Sequence, residues 1–222
     1  MDRRIKAVIF DLNGTLLDSL TDLHLSVNAA MEAHGFPSHS REEVCSYIGN
    51  GVYKLIERAI PEGADNVRFA ETLEYFKEHY AEHMYDHTAA YEGIYEALDT
   101  LKAEGYRLAV VSNKFDAAVK ELCARCFPEH IEVAIGECEA AGIKKKPAPD
   151  TVLAALRELG LERCEAVYVG DSDVDVHTAQ NSGMECISVL WGFRGRDFLE
   201  SEGARIFAEN ARELIGHILK MG

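Results

Sequence analysis

Short apolar runs alternate with amphipathic stretches along most of the chain. Residues 7–10 (AVIF), 107–111 (RLAVV) and 166–169 (AVYV) are brief and rich in β-branched residues, without the in–out alternation of a half-exposed strand. They predict strands buried on both faces, as in a parallel sheet. Residues 131–135, 186–190 and 205–207 give further, weaker strand signals. Between them, 93–103, 116–126, 150–159, 174–181 and 211–219 carry apolar residues at helical spacing. Strand–helix alternation of this kind predicts an α/β fold, a Rossmann-like parallel sheet with helices on both faces.

One segment departs from the alternation. From residue 18 to residue 87 the pattern is helical throughout. Leu20, Leu23, Val27, Ala30 and Met31 share one helix face, and Ser40 with Glu43 forms a capping-box signature for a helix over 41–47. Gly49-Asn50-Gly51 marks a loop, 52–60 a short helix, and 65–84 a longer one carrying Val67, Phe69, Ala70, Leu73, Phe76 and Tyr80. The predicted organisation is an α/β core of residues 1–17 and 88–222, interrupted by an inserted all-helical cap of residues 18–87, with hinges near Leu17 and Thr88.

Composition narrows the function. With 23 basic and 38 acidic residues the formal charge is −15, which argues against a nucleic-acid partner. No run approaches the roughly 20 apolar residues of a membrane span. Met1-Asp2-Arg3-Arg4 leads straight into the first strand, so neither a signal peptide nor a membrane partner is expected, and the expected location is cytoplasmic. The six cysteines (Cys45, Cys123, Cys126, Cys138, Cys164, Cys186) then read as reduced, mostly buried thiols.

The candidate chemistry lies where the apolar runs stop. Asp11 ends the first strand and Ser112-Asn113 the second, Lys146 sits in the basic loop 144–147, and Asp171 and Asp175 follow the 166–169 strand. A parallel sheet opens all its carboxyl ends onto one edge, so these groups are placed to converge. A carboxylate can act as nucleophile, two or three carboxylates can hold Mg²⁺, and a Lys with a hydroxyl can orient phosphoryl oxygens.

Asp11-Leu12-Asn13-Gly14-Thr15-Leu16-Leu17-Asp18 resembles the first motif of the haloacid dehalogenase superfamily, Asp-x-Asp-Gly-Thr-[Leu/Val]-x-Asp. Three further motifs follow in the order of that family. The resemblance implies Asp11 as nucleophile and metal ligand, Ser112 as the hydroxyl that holds the phosphoryl group with Asn113 beside it, and Lys146 as the third-motif lysine. It implies Asp171 as a metal ligand and Asp175 as an acid that reaches the metal through water. The implied reaction is Mg²⁺-dependent hydrolysis of a small phosphorylated metabolite through an aspartyl-phosphate, by a monomer or homodimer. Ile48-Gly49-Asn50-Gly51 is similar to the same stretch in phosphoglycolate phosphatases, which makes Asn50, Gly51 and Lys54, with Arg58 beyond them, a candidate substrate loop. Asp18 and Asp173 read as helix caps.

Position 13 breaks the resemblance. The family usually has Asp there, protonating the leaving oxygen and then activating water. An amide has no titratable proton near neutral pH. The metal contact implied at Asn13 comes from its backbone carbonyl and survives the change. Three readings follow: the substitution was introduced to slow turnover; the chain is a naturally sluggish phosphatase or one using another base, such as His24; or it is a phosphometabolite-binding protein that has lost turnover. A phosphomutase and a 2-haloacid dehalogenase are the rival enzymes; the second needs no metal, and the Asp171–Asp175 pair speaks against it. His79, His83 and His87 recur every four residues, as a metal-binding stripe or a solvated face. Cys123-x-x-Cys126 lies inside a helix pattern, as packing thiols or half of a metal site.

Overall fold

The computed structural model describes residues 5–138 and 142–222. The segment 1–4, read above as leading into the first strand, lies outside the described residues. The chain divides into two compact units, residues 1–17 with 90–222 and residues 18–89.

The first unit is built on a six-stranded sheet. Its strands are β1 (Ala7–Phe10), β4 (Arg107–Phe115), β5 (Val133–Glu137), β6 (Ala166–Gly170), β7 (Cys186–Val189) and β8 (Ile206–Ala208). Their spatial order is β5-β4-β1-β6-β7-β8, every pair parallel. From β1 the chain moves outward on one side to β4 and β5, then returns to β6 on the other. The order therefore reverses around β1, and open α/β sheets bind ligands at that switch point. The helices of this unit are α5 (Ile94–Ala103), α6 (Asp116–Cys126), α7 (Asp150–Leu159), α8 (Asp173–Ser182), α9 (Arg196–Ser201) and α10 (Ala211–Met221).

Period-two alternation splits each strand between the faces. Ala7, Ile9, Ala109, Val111 and Tyr168 pack with Val152, Ala155, Leu156 and Leu159 of α7 and Ala179 of α8. Val8, Phe10, Val110, Val167 and Val169, on the opposite face, are equally buried. α5 packs on β4, and α10 on α5, β7 and β8. Tyr106 ties α10 down through a hydroxyl bond to the Ile218 carbonyl at 3.2 Å. This double burial explains why the strands read as continuous apolar runs.

Several elements differ from expectation. β4 does not stop at residue 111; it runs to Phe115 with a register shift against β5, so Ser112 and Asn113 sit in a strand end and not in a turn. Asp173 is not a cap. Ser172 caps α8 in a box with Asp175, and Asp173 is the first helical residue, 3.7 Å from Arg194. α9 lacks a clear periodic signal, its six residues showing only Leu199 fully buried.

The second unit packs α1 (Leu20–Ala33), α2 (Arg41–Tyr47), α3 (Val52–Ala59) and α4 (Phe69–His83). The expected helix over 65–84 begins only at Phe69, after a 3-10 turn at Gly63–Asp65, and Val67 is 96% exposed, outside the packed face. α1 packs on α4 inside this unit, and Leu23, Val27, Ala30 and Met31 of the one and Phe69, Phe76 and Tyr80 of the other are buried. Asp18 Oδ1 accepts from the Leu20 amide at the start of α1. The two chain crossings carry the short strands β2 (Leu17–Asp18) and β3 (Ala89–Ala90), which form a separate two-stranded sheet.

Asp22, buried in α1, is a residue that pattern alone did not single out. Its carboxylate accepts from the His87 amide and Nδ1 (2.8 Å) and from the Thr88 amide and hydroxyl (2.8 Å each). Burial opposes ionisation, but the Thr88 and His87 bonds outweigh it and hold the carboxyl below its usual range. A depressed carboxyl stabilises above its unfolded pKa and loses that stabilisation as pH falls through the folded value. Asp22→Ala strands these donors and is expected to destabilise the chain by about 2–3 kcal/mol in urea denaturation at pH 7, the difference narrowing in acid.

Candidate active site

The Leu12–Leu17 loop leaves the tip of β1 as a closed turn. Gly14 N–H donates to the Leu17 carbonyl, and the Leu16 and Leu17 amides both donate to Leu12. Leu12, Leu16 and Leu17 are fully buried and anchor it. Gly14 has φ +89°, and a Cβ there would overlap the Asp171 carboxylate, so only glycine fits. Asp11, next to the strand, has its amide fixed by the Val169 carbonyl of β6 at 2.8 Å.

Asp11, Asp171 and Asp175 converge. Each offers an oxygen within 4.8 Å of the other two, and all three residues are buried. Lys146, entering from the loop before α7, donates to Asp11 Oδ1 at 2.6 Å and to Asp175 Oδ1 at 2.7 Å. Tyr168 Oη donates to Asp175 Oδ1 at 2.8 Å and accepts from Lys146 at 3.1 Å. Asp175 Oδ2 takes the Asp171 and Ser172 amides and the Ser172 hydroxyl. Asn113 clamps the Lys146 backbone, accepting from its N–H at 2.7 Å and donating to its carbonyl at 2.9 Å. Ser112 is buried at the adjacent end of β4, its Oγ accepting from the Lys114 amide at 3.3 Å.

Electrostatics separate the three carboxylates. Burial pushes Asp11 up to about 6; Lys146 opposes the rise and Asp175 adds to it. Burial, then Asp175 and Asp11, hold Asp171 well above the carboxylate range. Burial acts on Asp175 too, but Lys146, Ser172 and Tyr168 outweigh it and bring that carboxyl below its usual value. Burial would lower the Lys146 ammonium, yet the facing Asp11 and Asp175 charges hold it above its ordinary range. One ammonium among three buried carboxylates leaves negative charge uncompensated. An all-oxygen donor set of that charge fits a hard divalent cation.

Asn13 lies beside this cluster in sequence, and its Oδ1 is buried without a hydrogen-bond donor among the described residues. Sequence reasoning missed Tyr168, Thr15 and the segment after β7, where the Phe193 amide donates to Asp171 Oδ2. Tyr168 looked like a core aromatic, and nothing in a sequence announces a backbone donor.

The other candidates belong to the second unit or to helix surfaces. Asn50 Oδ1 accepts from Arg58, which also donates to the Tyr47 carbonyl, and Lys54 pairs with Glu57. Gly51 has φ +84° and leads into α3. His24 Nε2 lies 3.0 Å from the His39 carbonyl and bonds with Asn28 inside its own unit. The histidine stripe is no shared site: His79 meets Ser26, His83 meets Asp86, and His87, beyond the end of α4, meets Asp22. Among the described residues only Asp11, Asp171 and Asp175 form a group able to hold a metal. Cys123 and Cys126 are free thiols on α6, both pushed upward by burial, Cys123 to about 12; of the six cysteines only Cys123 is buried and Cys164 is exposed, so the expectation of mostly buried thiols does not hold.

The sequence pattern described as haloacid dehalogenase-like hydrolase matches residues 8–189. The chain belongs to the haloacid dehalogenase-like hydrolases. It is 34% identical over 190 residues to a phosphoglycolate phosphatase of Aquifex aeolicus, covering 85% of this chain and 86% of that one. It is 36% identical over 192 residues to a phosphoglycolate phosphatase of Cereibacter sphaeroides, covering 84% and 86%. A crystal structure from Lactobacillus delbrueckii, provisionally named a phosphoglycolate phosphatase, superimposes with a TM-score of 0.92 at 36% identity over 97% of this chain and 98% of that one. The α/β sheet with its helical second unit is thus the architecture of a haloacid dehalogenase-like hydrolase. No helix among the described residues is long and apolar enough to cross a membrane.

Proposed function

We propose that this chain hydrolyses a small phosphate monoester, with phosphoglycolate the first candidate substrate. Asp11 Oδ attacks phosphorus, the ester P–O bond breaks with its electron pair going to the leaving oxygen, and the alkoxide leaves, taking its proton from solvent. Water then cleaves the aspartyl-phosphate, releasing orthophosphate and restoring Asp11. Asp11, the Asn13 backbone carbonyl and Asp171, with Asp175 through water, would hold Mg²⁺, which would offset charge on the phosphoryl oxygens. Lys146 and Ser112 orient those oxygens, while Asn113 positions Lys146 through its backbone. The unit 18–89 acts as the cap that gates access, with Asn50, Gly51 and Lys54 as its substrate loop.

The observation that carries this reading is the trio of buried carboxylates with Lys146 bonded to two of them. The names of the relatives support the substrate class. Asn13 favours a second reading, a phosphometabolite-binding protein that keeps Mg²⁺ and phosphate affinity with little turnover, because its amide carries no transferable proton. A panel of phosphate monoesters assayed with and without Mg²⁺ separates the readings. The first expects Mg²⁺-dependent orthophosphate release, highest with two- and three-carbon phosphates. Isomerised sugar phosphates would indicate a mutase, and calorimetric binding without release the second reading.

A further inference from the structure

Asp171 is held differently from its two partners. Lys146 bonds Asp11 and Asp175, whereas the Asp171 carboxylate accepts from two uncharged donors. Thr15 Oγ1 donates to Oδ1 at 3.2 Å and the Phe193 amide donates to Oδ2 at 2.7 Å. These donors come from the loop after β1 and from the segment between β7 and α9.

That segment is seated closely. Trp191 Nε1 donates to the Thr15 carbonyl at 3.0 Å, so the two donor elements are tied to each other as well as to Asp171. Gly192 passes against both, and a Cβ there would overlap the Asp171 side chain and the Gly14 carbonyl. The result is a closed ring: Thr15 and Phe193 grip opposite oxygens of one carboxylate, and Trp191 locks Thr15 to the same segment.

Such a ring fixes a side chain that would otherwise rotate. Magnesium demands near-ideal octahedral geometry, so a ligand turned away from its direction costs affinity. Donors behind the ligands set their orientation. We propose that Thr15 and the Trp191–Phe193 segment are the positioning device of the cation site, setting divalent-cation affinity through Asp171 without touching substrate. This rests on the Mg²⁺ reading given above.

The test is calorimetric titration of the full chain with MgCl₂ alone, in phosphate-free buffer. Thr15→Val removes the hydroxyl and keeps the shape, whereas Thr15→Ser keeps the hydroxyl. Phe193→Pro removes the amide donor, whereas Phe193→Leu keeps it. The Val and Pro variants are expected to bind Mg²⁺ about 10-fold or more weakly, with Ser and Leu close to the unaltered chain. If Phe193→Pro does not fold, the Thr15 pair decides. Unchanged Mg²⁺ affinity in a folded Thr15→Val chain overturns the proposal, as does a loss in Thr15→Ser equal to that in Val. An unaltered chain that binds no Mg²⁺ overturns the cation reading itself, a result distinct from any difference among variants.

Discussion

Asn13→Asp is expected to raise Mg²⁺-dependent phosphate-monoester turnover by at least about tenfold, since a positioned acid–base group typically contributes about 10²–10⁴ in rate. The closed turn after β1 holds residue 13 by backbone bonds on either side, from Gly14 to Leu17 and from Leu16 to Leu12. The substitution therefore changes the side chain without changing the loop. Asn13 Oδ1 already lacks a donor among the described residues, so no hydrogen bond of the chain to that oxygen is lost. A carboxyl there can give a proton to the departing alkoxide and take one from the attacking water, neither of which an amide does. Paired kcat measurements on the two forms, at saturating Mg²⁺ and substrate, decide the matter. Equal rates would remove the role assigned to this position.

Asp11→Asn is expected to act oppositely on activity and stability. It deletes the proposed nucleophile, and turnover should fall by on the order of 10³ or more, to the assay background. Stability should not fall with it. Burial holds Asp11 at about 6, so over roughly pH 4–6 the unfolded chain releases this proton before the folded one. The folded state binds the proton more tightly, and ionising Asp11 therefore costs stability as pH rises through that window. Without Mg²⁺, Asp11→Asn should melt at or above the temperature of the unaltered chain at pH 7–8, with the gap closing below about pH 4. Added Mg²⁺ should raise the melting temperature of the unaltered chain and reverse the ranking, because a ligand stabilises the state that binds it. A variant that loses activity and also melts well below the unaltered chain in the absence of Mg²⁺ would show that Asp11 serves the fold.

Much of this was legible one residue at a time. The run at 7–10 is apolar at every position, which only a doubly covered strand tolerates, and β1 lies at the centre of the sheet. Asp11 and Asp171 could be placed because they end such runs, and carboxyl ends share one edge. The capping box at Ser40 and Glu43 formed as read, because its chemistry spans four neighbouring residues. What failed was either short or distant. α9 has too few residues for a period to show, Ser172 displaced Asp173 as the cap through the bonds that Asp175 makes, and β4 ran past its apolar stretch because Phe115 pairs with Glu137 of β5 beyond a register shift.

The sequence by itself determined that a parallel sheet exists, that helices interrupt it between its first two strands, and that carboxylates and a hydroxyl stand at strand ends with a lysine in a loop between elements. Those are local facts, written in periodicity and in the residue where each apolar run stops. Only the tertiary structure decided which carboxylates share Lys146, that Tyr168 turns its hydroxyl into the cluster, and that an amide from beyond β7 holds Asp171. These contacts join residues up to 135 positions apart, and donors such as a backbone N–H have no signature in a side-chain pattern.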